Sequence, residues 1–141
     1  MVDRYFAEYA SYHTDRRNLI CHEIGIPLIV WAIFSLLEKL KLGPLDLGLI
    51  VGILILIFYV RLDLRLGLVA LAAFAALYLA GRYTPWWLAL VAFVVGWIFQ
   101  FVGHGYEGKK PAFLTNIVHL LIGPLWIVSL AMPRTSKARS G

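Results

Sequence analysis

The chain has 141 residues, 61% of them hydrophobic and 15% charged, and a net charge of +5. Soluble domains are about 45–50% apolar and about 25% charged, and a fold this small buries only about two-thirds of its unfolded surface, so the apolar surplus demands lipid as a solvent. The thirteen Lys and Arg are spread over loops and both ends, which excludes a nucleic-acid partner and favours lipid headgroups, and a single cysteine, Cys21, excludes an intrachain disulfide and thiolate metal sites.

Residues 2–17 carry Tyr5, Phe6, Tyr9 and Tyr12 at helical spacing, with charges ahead of any apolar run. This pattern reads as an interfacial amphipathic helix and not as a cleaved signal peptide. Apolar segments follow at 19–37, 45–60, 66–80, 86–103 and 113–131. A span needs roughly 20 residues, so the second and third cross only with their flanks included. Trp86 and Trp87 open the fourth segment, as expected at a headgroup interface. The connections at 38–44, 61–65, 81–85 and 104–112 are short, which makes successive helices antiparallel neighbours. The expected fold is an all-α integral membrane protein: about five transmembrane helices in an up-down bundle, preceded by the interfacial helix. It forms one domain over residues 1–133, followed by a disordered basic tail at 134–141. Basic residues divide almost evenly between the two sides, so the positive-inside rule assigns no orientation.

His13 and His22 lie at the entrance to the first span, His104 at the exit of the fourth and His119 inside the fifth. An even number of crossings separates the two pairs, so all four share one end of the bundle. Ionisable groups at a bilayer edge are costly unless partnered and are candidates for function. Asp15, Asn18, Glu23, Gln100, Glu107 and Asn116 neighbour the histidines, whereas residues 47–60 and 66–80 contain no ionisable side chain apart from tyrosine.

Asp15, Asn18 and His22 form one helical stripe, and Gln100, His104 and Glu107 form another if the helix persists through Gly103 and Gly105. Asn116 and His119 form a third. His13 stands nine residues before His22, on the opposite face of a continuous helix, so the two meet only where the chain breaks between them. Imidazoles with carboxylates suit iron, zinc, copper or nickel, with Asp15, Asn18, Glu23, Glu107 and Asn116 as candidates to orient the ligands. A single histidine in such a bundle is as often a hydrogen-bonded structural group, but four gathered at one end favour a shared site. Pro27 and Pro124 read as kinks, and Trp31, Trp97 and Trp126 as packing.

The stretch His13-Thr-Asp-Arg-Arg-Asn18-Leu-Ile-Cys-His22-Glu-Ile-Gly-Ile-Pro27, the stretch Gln100-Phe-Val-Gly-His104-Gly-Tyr-Glu107-Gly-Lys-Lys-Pro111-Ala and the later His119 and Gly123-Pro124 resemble the fungal 2-hydroxy fatty acid dioxygenases and their small bacterial relatives. That family was named for converting phytosphingosine to odd-numbered fatty acids. The resemblance implies an Fe(2+)-dependent dioxygenase that takes O2 and a 2-hydroxy fatty acid and cleaves C1–C2, shortening the acid by one carbon (α-oxidation). It implies His13, His22, His104 and His119 as metal ligands, or three of them with Glu107, with Glu107, Asn18 and Asp15 as catalytic residues. It also implies a multi-pass protein among membrane lipids, in a bacterial inner membrane or a eukaryotic endoplasmic reticulum. The competing expectations are a bis-histidine haem bundle for electron transfer, a non-catalytic small transporter or scaffold, and a membrane zinc hydrolase.

Overall fold

The structure is a computed structural model that describes residues 2–108 and 119–132. Among these residues six helices follow one another: α1 (Val2–Ala10), α2 (Arg16–Leu37), α3 (Leu47–Leu62), α4 (Leu64–Arg82), α5 (Trp86–Glu107) and α6 (His119–Ala131). Three aspartates set their starts. Asp15, Asp46 and Asp63 each precede a helix with extended backbone, and each side chain accepts a bond from a backbone N–H of the first turn, at Arg17, Leu49 and Leu66. Asp63 serves two helices, because its own N–H also closes α3 on Tyr59 O. The connection expected at 61–65 is therefore one residue long.

The α2–α3 connection also departs from expectation, with two short strands, β1 (Lys41–Leu42) and β2 (Leu45–Asp46), pairing antiparallel. The reason is local: Gly43, at φ +65, takes the left-handed conformation the tight turn requires, and Pro44 follows it. The start of the fifth predicted segment, Asn116, Lys109, Lys110 and the basic tail lie outside the described residues.

α2, α4 and α5 are long and apolar enough to cross a membrane, while α3 and α6 are shorter apolar helices. At 1.5 Å per residue, the 22 residues of α2 and of α5 match a hydrocarbon core of roughly 30 Å. Leu54, Leu64, Leu68, Val94, Ile98 and Phe101 are each more than half exposed, a surface that suits lipid and not water.

α2 and α5 pack antiparallel along their lengths, and glycines let them approach. A methyl group at Gly25 would lie 2.5 Å from Gln100 Nε2 and 2.8 Å from Gly96 O, and one at Gly96 would lie 2.6 Å from Ile29 Cγ1. Small residues allow such backbone contact where lipid supplies no hydrophobic drive between helices. α3 and α4 form an antiparallel hairpin, with Val60 against Gly67 at one end and Tyr78 bonded to Asp46 at the other. The aromatic stripe of α1 is turned inward: Tyr9 is buried with Ile122 and Trp126 of α6, and Phe6 packs beside it.

At the end of the bundle away from the histidines, Glu38 is buried, and neither carboxylate oxygen has a hydrogen-bond partner among the described residues. Burial and then the charge of Asp46 push its carboxyl from 4.5 up to about 7. The folded state therefore holds a proton that the unfolded state has released, and stability falls as pH rises from about 4.5 to about 7. Thermal unfolding in detergent should show the protein more stable at pH 5 than at pH 8, with Glu38→Gln removing much of the difference. Equal slopes in the two proteins would assign the pH dependence to another group.

Candidate metal centre

α1 ends at Ala10 and α2 starts at Arg16, so the chain breaks between His13 and His22, as their spacing requires. His13 sits in the intervening turn, one helical turn beyond Tyr9. Its Nδ1 donates to Tyr9 O at 2.6 Å, and the Tyr9 ring stacks on it at 4.2 Å and 14°. His22 is buried in the second turn of α2, where its Nδ1 donates to Asn18 O at 3.0 Å. A carbonyl can only accept, so both bonds hold the proton on Nδ1 and leave the Nε2 lone pair free for a ligand. Burial pulls His13 down to about 4, which keeps its ring neutral at physiological pH.

α5 stays helical through Gly103 and Gly105 to Glu107, and the antiparallel seam brings its last turns beside the first turns of α2. Ring centroids of His13, His22 and His104 are 4.2, 4.8 and 5.2 Å apart, all edge to face. One ring nitrogen from each lies within 4.8 Å of those from the other two, and all three residues are buried. His13 Nε2 and His104 Nδ1 have no hydrogen-bond partner among the described residues. Buried donors and acceptors are nearly always satisfied, so converging unpartnered imidazoles fit a cation with nitrogen preference, and no negative side chain has to be buried with it.

His119 lies on the wall of the same cavity but outside this group of three, with its Nε2 3.3 Å from a carboxylate oxygen of Glu8. Glu107 faces the turn that carries His13. It accepts from Thr14 Oγ1 at 2.7 Å, from the backbone N–H of Asp15, and from Asn18 Nδ2 at 3.3 Å. Asn18 also donates to Tyr12 O at 3.0 Å. Glu107 and Asn18 thus tie the His13 turn and the start of α2 to the end of α5. The Asp15 carboxylate caps α2 and pairs with Arg17 at 3.1 Å. Glu23, expected among the orienting groups, is instead exposed; one residue past His22, it is turned about 100° away round the helix.

Gln100 is buried one turn before His104, and its Nε2 has no hydrogen-bond partner among the described residues. Of the other neighbours, Glu8 and Thr14 were not singled out from sequence, while Tyr9 was read only as part of the aromatic stripe and Trp126, whose ring lies 5.2 Å from that of His13, only as packing. Tyr9 and Glu8 act across a turn or between helices. Only the place of Tyr9 four residues before His13 hinted at its contact.

From the histidines a cavity of about 340 Å³ runs into the bundle, within the size range of small-molecule sites. Past Gln100 its walls are almost wholly aliphatic and aromatic, among them Ile29, Val30, Ile55 and Phe93. The site is therefore a nitrogen-rich, buried head with an apolar tail space behind it.

The family model described as 2-hydroxy-palmitic acid dioxygenase Mpo1-like matches residues 1–135. The chain is also similar to the 2-hydroxy-palmitic acid dioxygenase MPO1 of Saccharomyces cerevisiae, at 34% identity over 127 residues covering 85% of this chain and 73% of the yeast protein. No solved structure matches. The match to residues 1–135 takes in all four histidines, and the chain belongs to the Mpo1-like family.

Proposed function

We propose that the chain is a membrane-embedded, iron(II)-dependent dioxygenase that removes C1 from long-chain 2-hydroxy fatty acids. The observation that carries this reading is the convergence of His13, His22 and His104 at the head of an apolar cavity. The relative's name supports the reaction class and the hydroxy acid. The overall chemistry balances without a further reductant: hydroxy acid and dioxygen give the acid one carbon shorter, carbon dioxide and water.

Iron(II) held there by the three imidazoles would supply the redox activation of dioxygen that redox-inactive zinc cannot. The protein's own share is positional. Tyr9 O and Asn18 O hold two imidazoles with Nε2 presented, and Glu107 with Asn18 holds the turn bearing His13 against α5. The unpartnered amide of Gln100 supplies a donor for the hydroxyl or carboxylate of the substrate. The apolar walls receive the alkyl tail and exclude water from the reacting carbons. Rings at edge-to-face separations of 4.2–5.2 Å leave no planar slot for a porphyrin between any two of the three, which favours a mononuclear metal over haem.

The test is metal analysis of protein purified anaerobically in detergent, with oxygen uptake measured on 2-hydroxypalmitic acid. The expected result is about one iron per chain and one dioxygen consumed per hydroxy acid. Protein that holds no iron and takes up no oxygen after Fe(II) is added would overturn the reading.

A further inference from the structure

The cavity has a definite floor. Its lining ends on α2 at Phe34, on α3 at Val51 and on α5 at Phe93, and its contact with α4 is Phe74. Phe34 and Phe74 are both buried, with rings edge to face at 5.2 Å and 75°. Phe34 has no room to retreat: a methyl group added at Gly52 would lie 3.0 Å from its Cε1. Behind it the Tyr78 ring stands at 6.3 Å, fixed by a hydrogen bond to Asp46. The floor is thus an aromatic pair backed by an anchored polar group.

We propose that Phe34 and Phe74 form the end wall of an acyl-chain cavity and set the carbon number accepted at the histidine end. The inference rests on the hydroxy-acid reading of that end. Phe34 follows His22 by twelve residues, about 18 Å of helix, and Phe93 precedes His104 by eleven, about 16 Å. Two antiparallel helices thus give the same depth. An all-trans alkyl chain advances about 1.25 Å per carbon, from bonds of about 1.5 Å at tetrahedral angles. About 13–14 carbons therefore fit between head and wall, the tail beyond C2 of an acid of fifteen or sixteen carbons. A longer tail must coil or displace packed rings, and a close-packed interior resists that.

The test is a ladder of saturated 2-hydroxy acids from twelve to twenty-two carbons. It is read as kcat/KM from oxygen uptake and, independently, as displacement of a dansyl-labelled undecanoic acid by the same acids. Wild type should peak near sixteen carbons and lose about tenfold in kcat/KM for each of the first methylenes beyond the optimum. Phe74→Ala should move the optimum about four carbons longer, the length of a removed ring at about 1.25 Å per carbon. Val51→Phe, which fills the same end, should move it shorter. Opposite shifts cannot come from a general loss of stability, and either variant suffices if the other does not fold.

A wild-type profile flat beyond sixteen carbons would show that the tail leaves the cavity sideways and would overturn the proposal. So would an optimum that neither variant moves. Should no acid support oxygen uptake while displacement keeps the length optimum and its shifts, the dioxygenase reading fails and the end wall stands.

Discussion

Alanine at His22 or at His104 is expected to empty the site of metal and to reduce substrate-dependent oxygen uptake to background, while helix content by circular dichroism stays unchanged. Three nitrogen donors are few for a labile divalent ion, and each comes from a different segment: the turn after α1, the second turn of α2 and the last turns of α5. Removing one leaves two donors of the group, and His119 on the cavity wall lies outside the three that converge. The fold should survive because the α2–α5 seam rests on Gly25 and Gly96, farther along both helices. Metal analysis of the two purified variants decides the matter, and unchanged metal in both would sink the shared site. Alanine at His119 separates the ligand sets. As an imidazole paired to Glu8 outside the three-histidine group, it should weaken retention less than the other two.

Glu107→Ala should weaken metal retention by about 10–100-fold, the usual cost of losing a group that orients ligands, and Glu107→Gln should restore most of it. The reason lies in its partners. Asp15 N–H and Asn18 Nδ2 can only donate, but the Thr14 hydroxyl can donate or accept. A glutamine can place its carbonyl oxygen toward Asp15 and Asn18 and its amide toward Thr14, keeping every bond without the charge. If Glu107 ligated the metal or moved a proton, glutamine would be as damaging as alanine. Comparing the iron affinities and pH–rate profiles of the two variants distinguishes a positioning residue from a catalytic one.

Much of the architecture follows from local pattern. The apolar runs mark out helices whose observed bounds differ by a few residues, since Asp46 and Asp63 cap α3 and α4 at positions their side chains select. The nine-residue spacing of His13 and His22 required a break, and the break lies at residues 11–15. The stripe of Gln100, His104 and Glu107 required helix through two glycines, and α5 supplies it. Each of these is a relation within about two turns, where helical geometry alone decides which side chains share a face.

What lies across helices was not legible in this way. Glu23 shares a neighbourhood with the histidines in sequence but not in space, and Glu8, remote in sequence, stands beside His119. The engagement of Glu107 with Thr14, Asp15 and Asn18 depends on the register in which α5 lies against α2, and that register is set by glycines meeting backbone and side chains of the facing helix. The end wall needs Phe34, Gly52, Phe74 and Tyr78 from three helices. A membrane-suited helical chain is legible in the order of its residues, because hydrophobic period is a property of a single segment. Which three rings converge, which carboxylate holds their turn in place and how deep the tail space runs emerge from the packing of the helices, because helix register and side-chain volume are settled between segments and not within them.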